Sequence, residues 1–283
     1  MDNNPANRFL ILLKREMWES NKLFVASPAV LSGLLLVILF WILMQVPAQL
    51  KAEAVSNLGA LLEGASASAI VVPFMPLAIP FVVVLYICSI IYLVNALYHD
   101  RKEGSILFWQ SMPVSNIETV LSKLVTVSIV APLITAAASG VLILFVVLAV
   151  SILGASYDVA SVGFWTLLSA GLYSVLLIYL TSVLAALWLF PTTGWILLFS
   201  AYARSLPFLW ALGAFILLLF VEDFIFGSQF LGNWLQSRTG GYNYVIFSVG
   251  DFFQRLFSYD LLIGVLLGSV LVTGAVYMRR FTD

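Results

Sequence analysis

The sequence predicts an all-α polytopic membrane protein with six transmembrane helices. Three observations carry this reading. Hydrophobic residues make up 62% of the 283-residue chain and charged residues only 10%, against about 45–50% and about 25% in soluble domains. The apolar residues fall into six stretches, roughly 28–47, 69–97, 120–152, 164–190, 206–225 and 260–278, each long enough for the ~20 residues a helix needs to cross hydrocarbon. Lysine and arginine divide unevenly between the segments that link these stretches. Helices are required because lipid offers no partners to an open strand edge. The whole of 1–283 therefore reads as one transmembrane domain.

Basic residues set the orientation. With the N-terminus in the cytoplasm, Arg8, Lys14, Arg15, Lys22, Arg101, Lys102, Lys123, Arg204, Arg279 and Arg280 lie inside. Only Lys51, Arg238 and Arg255 then lie outside. Both termini are expected to be cytoplasmic. The first residues lack the basic-then-apolar layout of a cleaved signal peptide, so insertion is expected to begin at span 1.

In chain order, residues 7–24 predict an amphipathic helix. At 100° per residue Arg8, Arg15, Glu19 and Lys22 share one face, and Phe9, Leu10, Leu13, Met17 and Phe24 the other. Such a helix lies in the membrane interface before the chain turns into span 1. Around Pro191 and Gly194 the fourth apolar run is interrupted. Either helix 4 kinks there, or it ends and a short interfacial piece follows; both place Arg204 on the same side. The outer stretch 226–259 holds ten aromatic residues, among them Phe230, Trp234, Tyr244 and Phe252. Gly240 and Gly241 divide it, which predicts two short helices tucked back into the outer leaflet as a re-entrant segment; an aromatic belt at headgroup level accounts for single residues equally well. Gly264 and Gly268 in span 6 allow close helix approach, and packing within the chain is the plain reading of one such pair.

Composition and motifs exclude several chemistries. One cysteine, Cys88, and one histidine, His99, rule out cysteine clusters and multi-histidine metal sites. HExxH, paired-aspartate and GxSG arrangements are absent, as is the phosphate-cradling GxxxxGK[ST] loop. His99, at a helix exit beside Arg101 and Lys102, is a poor general base. The span interiors carry almost no ionisable residue, whereas an ion-coupled carrier needs buried charges to bind its ion. No catalytic residue, metal, cofactor or nucleic-acid partner is expected.

Residues 98–119 form a charged, proline-containing island between spans 2 and 3. Residues 100–104 are a polar exit from span 2, and Gly104 permits a change of direction. Ile106, Leu107, Phe108 and Trp109 are too apolar to remain in water alone, and Pro113 stops that piece. Ser115 then caps a helix, with Glu118 three residues on as its capping-box partner. This helix continues as span 3, with Lys123 near its start.

This segment resembles the cytoplasmic loop of the ABC-2 type (type V) transporter permeases. There an acidic/basic run, Gly, Ser or Thr, a short apolar helix, Pro-Val-Ser and a downstream Lys recur between spans 2 and 3. The matching residues are Asp100, Arg101, Lys102, Gly104, Ser105, Pro113, Val114, Ser115 and Lys123. The family's Ser-Ala-x-Ala-Arg pattern after span 4 is matched by Ser200, Ala201, Tyr202, Ala203 and Arg204. Six spans, an interfacial N-terminal helix and a re-entrant segment before span 6 agree with the same layout.

The resemblance implies a non-enzymatic permease subunit, a homodimer in the bacterial cytoplasmic membrane. It would dock on cytosolic ATP-binding subunits through a coupling helix in 98–119. The residues expected to couple it are Asp100, Arg101, Lys102, Glu103, Gly104, Ser105, Phe108, Trp109, Pro113, Ser115 and Arg204. The expected function is export of an amphipathic, lipid-like or peptide substrate, with ATP hydrolysed on the partner subunit and membrane lipids around the spans. The alternatives, an ion-coupled secondary transporter or an integral-membrane lipid-modifying enzyme, lack the buried charges or the catalytic set they need.

Overall fold

The structure, a computed structural model, describes residues 5–63, 71–102, 115–159, 162–240 and 243–279. Among them there is no strand. Six helical stretches are long and apolar enough to cross a membrane: Lys22–Gln45, Val72–Lys102, Asn116–Ser156, Phe164–Trp188, Pro207–Phe226 and Tyr259–Met278. Large apolar side chains such as Trp41, Leu217 and Leu266 point outward from them. In water these would be a liability; in hydrocarbon they face their own solvent. The chain is an all-α, multi-pass membrane protein.

The helices are α1 (Pro5–Glu19), α2 (Ser27–Gln45), α3 (Ala48–Leu62), α4 (Ile79–Ala96), α5 (Tyr98–Lys102), α6 (Asn116–Val125), α7 (Ala131–Ser156), α8 (Phe164–Trp188), α9 (Phe190–Tyr202), α10 (Pro207–Val221), α11 (Phe230–Thr239), α12 (Val249–Leu256) and α13 (Tyr259–Met278). Prolines explain the joints. The wide π turns Lys22–Ala26 and Thr126–Val130 each precede a proline, Pro28 and Pro132. A proline offers no N–H, and a π turn rearranges the carbonyls left over. The tight turn Val72–Ala78 that leads into α4 contains Pro76.

The interruption near Pro191 is a kink. Helix α8 ends at Trp188, Leu189 leaves the helical region at ψ 11°, and α9 restarts with proline in its first turn. Hydrogen bonds run straight across the joint, from Leu189 N to the Ala185 carbonyl at 2.9 Å and from Thr193 N to the Leu189 carbonyl at 3.0 Å. Helix α9 is no surface piece: it lies along α13, with Gly194 set against the Gly268 carbonyl and Leu198 beside Gly274. A second close pair is α7 with α8, where Gly171 meets Ile143 and Val147. Small residues let helices approach where no hydrophobic force drives them together.

Three apolar clusters fill the interior. Phe24, Tyr92, Val120, Leu124, Leu197 and Ala275 pack at the end that carries Asp100. Val55, Phe74, Ile143, Val147 and Leu167 join α3 to α7 and α8. Leu177, Leu184, Trp188, Ile246 and Leu261 seat the segment between α11 and α12 against α8 and α13. Within 226–259 lie two short helices, α11 and α12, on either side of Gly240. Its start is held by Glu222, a buried carboxylate that accepts from the Ser228 hydroxyl at 3.1 Å and from Leu231 N at 3.0 Å. Gly227 makes the intervening turn at φ +59°, a left-handed conformation that glycine adopts without steric cost.

Candidate functional site

Helix α1 presents a face that its charge pattern did not announce. Leu12, Glu16, Ser20, Phe24, Pro28 and Ser32 form one buried seam with a spacing of four, running from α1 into α2. Leu10 and Trp18 turn outward. Glu16, only 1% exposed, is the one carboxylate in that seam. Its Oε2 accepts from the Tyr92 hydroxyl at 2.6 Å and from Lys123 Nζ at 3.2 Å. The Tyr92 ring is set edge-on to Phe24 at 5.2 Å, which locks its orientation.

Lys123 is itself buried, at 3% exposure. It stands between two carboxylates, 3.1 Å from Glu16 Oε1 and 3.6 Å from Asp100 Oδ2. Asp100 also faces Arg15 at 3.8 Å and Arg279 at 3.6 Å. Arg15 in turn holds Glu19 at 2.6 Å. Arg15, Lys123 and Arg279 thus balance Glu16, Glu19 and Asp100. Buried charges persist only when paired in this way. Burial works against the Arg15 guanidinium, but the Glu19 hydrogen bond and the fields of Glu19, Glu16 and Asp100 outweigh it and raise its pKa. For Arg279 burial wins over Asp100, and its pKa is lowered; an arginine stays charged regardless. The node ties together α1, the middle of α5, the last turn of α6 and the C-terminal end of α13. Beside it opens a cleft of about 380 Å³ of mixed character, in which Glu16, Glu19, His99 and Asp100 meet apolar walls from Leu23 and Ile91.

A second joint lies next to this node. The Arg101 guanidinium donates to the Ala201 carbonyl at 2.7 Å and also to the Ala203 carbonyl. The buried Ser200 hydroxyl accepts from Leu97 N at 3.1 Å and Tyr98 N at 3.2 Å, and donates to the Val94 carbonyl at 2.8 Å. One α9 side chain therefore satisfies the backbone groups freed at the break between α4 and α5. The two stretches singled out in the sequence, around 100 and around 200, meet here.

The remaining predicted residues are placed as follows. Asp100 is brought into the charge node and Arg101 into the joint, while Lys102 and Arg204 are exposed. Ser115 caps α6 in a full capping box: its hydroxyl accepts from Glu118 N at 3.1 Å, and Ser115 N donates to the Glu118 carboxylate at 2.8 Å. Glu103, Gly104, Ser105, Phe108, Trp109 and Pro113 lie outside the described residues. Glu16, Tyr92 and Arg279 were missed. The four-residue seam from Leu12 to Ser32 was the available signal, since a lone carboxylate in an inward row demands a cationic partner.

The opposite end holds another buried cation. Arg238, read from the sequence as an outer-loop charge, is only 4% exposed. Its guanidinium lies between the rings of Trp234 at 4.4 Å and Trp188 at 5.3 Å. It donates to the Trp188 carbonyl at 3.1 Å and to the Asp260 carbonyl. Gly264 leaves the room it occupies; a Cβ there would overlap the guanidinium. The paired glycines Gly264 and Gly268 of span 6 thus do different work: Gly264 admits Arg238, and Gly268 admits Phe190 at the start of α9.

The fold defines a class, the multi-pass helical membrane proteins, with a buried charge node at one end. Scans against protein-family models, curated proteins and solved structures return no match.

Proposed function

We propose that the chain is the permease subunit of an ATP-binding-cassette exporter, working with a separate cytosolic ATPase and a second copy of itself. In this reading α1 lies in the cytoplasmic interface, both termini are cytoplasmic, 98–119 is the coupling segment and 226–259 re-enters the outer leaflet. The observation that carries it is the Arg101 joint. The two stretches on which the resemblance rests, about a hundred residues apart, are hydrogen-bonded to each other. A segment pushed by a motor must pass its movement on through stiff contacts. Here Asp100, near the start of 98–119, and Lys123, just past its end, are both buried in a node that reaches α1 and α13.

The cargo follows from what lines the spans. Small ions and sugars need polar groups to replace their water, and the spans offer scattered Ser, Thr, Tyr and Asn. An amphipathic, lipid-like or hydrophobic peptide cargo fits better. Saturable ATPase stimulation of the reconstituted complex by amphipathic compounds supports this, and stimulation by a hydrophilic solute alone overturns it.

Docking is tested at Phe108 and Trp109, since buried aromatic anchors at interfaces contribute about 2 kcal/mol or more each. Trp109→Ala is expected to weaken co-purification with a co-expressed cytosolic ATP-binding subunit while leaving membrane insertion unchanged. If binding survives Trp109→Ala and Phe108→Ala together, docking through this segment is wrong.

Orientation is tested by cysteine labelling in a Cys88→Ala background. An impermeant reagent added outside intact cells is expected to reach single cysteines in 48–68 and 226–259 but none in 100–105. Labelling of residue 102 from outside reverses the topology.

A further inference from the structure

A groove of about 320 Å³ lies between α2, α3 and α7, at the end of the molecule away from Asp100. Its walls are apolar, with Leu39 and Leu43 from α2, Ala54 and Leu58 from α3, and Phe145 and Ala149 from α7. The single charged residue among its lining is Lys51. Helix α3 is pinned in place by the Tyr157 hydroxyl, which donates to the Ala48 carbonyl at 3.1 Å, so the groove is preformed. Its walls run from Leu39 to Val46 and from Phe145 to Leu153, about 10–12 Å at ~1.5 Å per residue. That is most of the ~15 Å of hydrocarbon in one leaflet.

Lys51 stands one turn into α3, just past the end of α2, so it marks the headgroup end of the groove. It is half-buried, while its near neighbour Glu53 is exposed. Among the described residues no carboxylate lies within ion-pair distance of Lys51. A cation at the mouth of an apolar slot, with no carboxylate of its own, selects an amphiphile of opposite charge.

We propose that this groove is a binding site for an anionic phospholipid, one acyl chain lying between α2, α3 and α7 and the phosphate at Lys51. The site is independent of the transport reading, because it needs only that these helices stand in a bilayer. The slot's depth matches a chain in hydrocarbon, and the lysine supplies the headgroup preference that hydrophobic contact alone lacks.

The test uses the full chain in nanodiscs containing equal phosphatidylglycerol and phosphatidylcholine with identical acyl chains, and native mass spectrometry of the lipid it retains. The wild type is expected to retain phosphatidylglycerol over phosphatidylcholine by about fivefold, the ratio that one basic residue near a membrane surface is worth. Lys51→Gln is expected to bring that ratio near one, and Lys51→Arg to keep it. Ala149→Trp, which fills the slot, is expected to abolish retention of both lipids. Equal retention by the wild type overturns the proposal. So does an unchanged preference in Lys51→Gln, which needs no repacking and keeps the test decisive if the tryptophan variant fails to fold.

Discussion

Replacing Lys123 with methionine is expected to lower stability by about 3–5 kcal/mol, the cost of leaving buried carboxylates without their cation. The ammonium sits 3.1 Å from Glu16 and 3.6 Å from Asp100. Arg15 and Arg279 remain to face Asp100, but Glu16 keeps only Arg15, at 4.0 Å. The measurement is the thermal unfolding midpoint of purified protein in one detergent. Because the cost arises from the stranded charge, Glu16→Gln introduced together with Lys123→Met is expected to recover part of it. Double-mutant coupling between contacting charged residues runs at about 0.5–3 kcal/mol. A loss below about 1 kcal/mol in Lys123→Met, or strictly additive single losses, would show that the node does not hold the helices together.

Gly268→Ala is expected to have the next largest effect, a net loss of about 1–3 kcal/mol. A Cβ at 268 would overlap the Phe190 ring and, beneath it, stand 2.9 Å from the backbone carbon and oxygen of Phe190, atoms of a helix that cannot turn aside as a side chain can. Gly274→Ala is the control. There the nearest atom is the Leu198 Cδ1 at 3.2 Å, the end of a flexible side chain. Alanine also gains about 1 kcal/mol over glycine in a helix interior, so this variant is expected to be neutral or slightly more stable. Both substitutions make the same chemical change in the same helix, and only the neighbour differs. If the two midpoints shift equally, the close approach of α9 and α13 is not what Gly268 provides.

Several features were legible before any coordinates. The six apolar helices follow from counting apolar residues against a fixed hydrocarbon thickness, which is a local property. The Ser115–Glu118 capping box and the division of 226–259 around Gly240 are local too, and both appear at the residues expected. The break near Pro191 was readable as a break. Whether it was a kink or an end was not, because that depends on whether α13 is there to pack on α9.

The same distinction separates Glu19 from Glu16. Both lie on an amphipathic helix, and periodicity places charges toward water. Glu19 obeys, pairing with Arg15 one turn away. Glu16 turns inward because a lysine 107 residues later and a tyrosine 76 residues later wait there. Arg238 repeats the pattern at the other end: its burial between Trp188 and Trp234 depends on Gly264, in a different helix. By itself the sequence determined the class and the number of helices long and apolar enough to span a bilayer, since each rests on a short window of residues and the thickness of a bilayer. Only the tertiary structure decided which charges are buried, which glycine serves which neighbour and which motifs meet. Those depend on how each helix is rotated about its axis against the others, and a four-residue seam shows its partner only once the helices are packed.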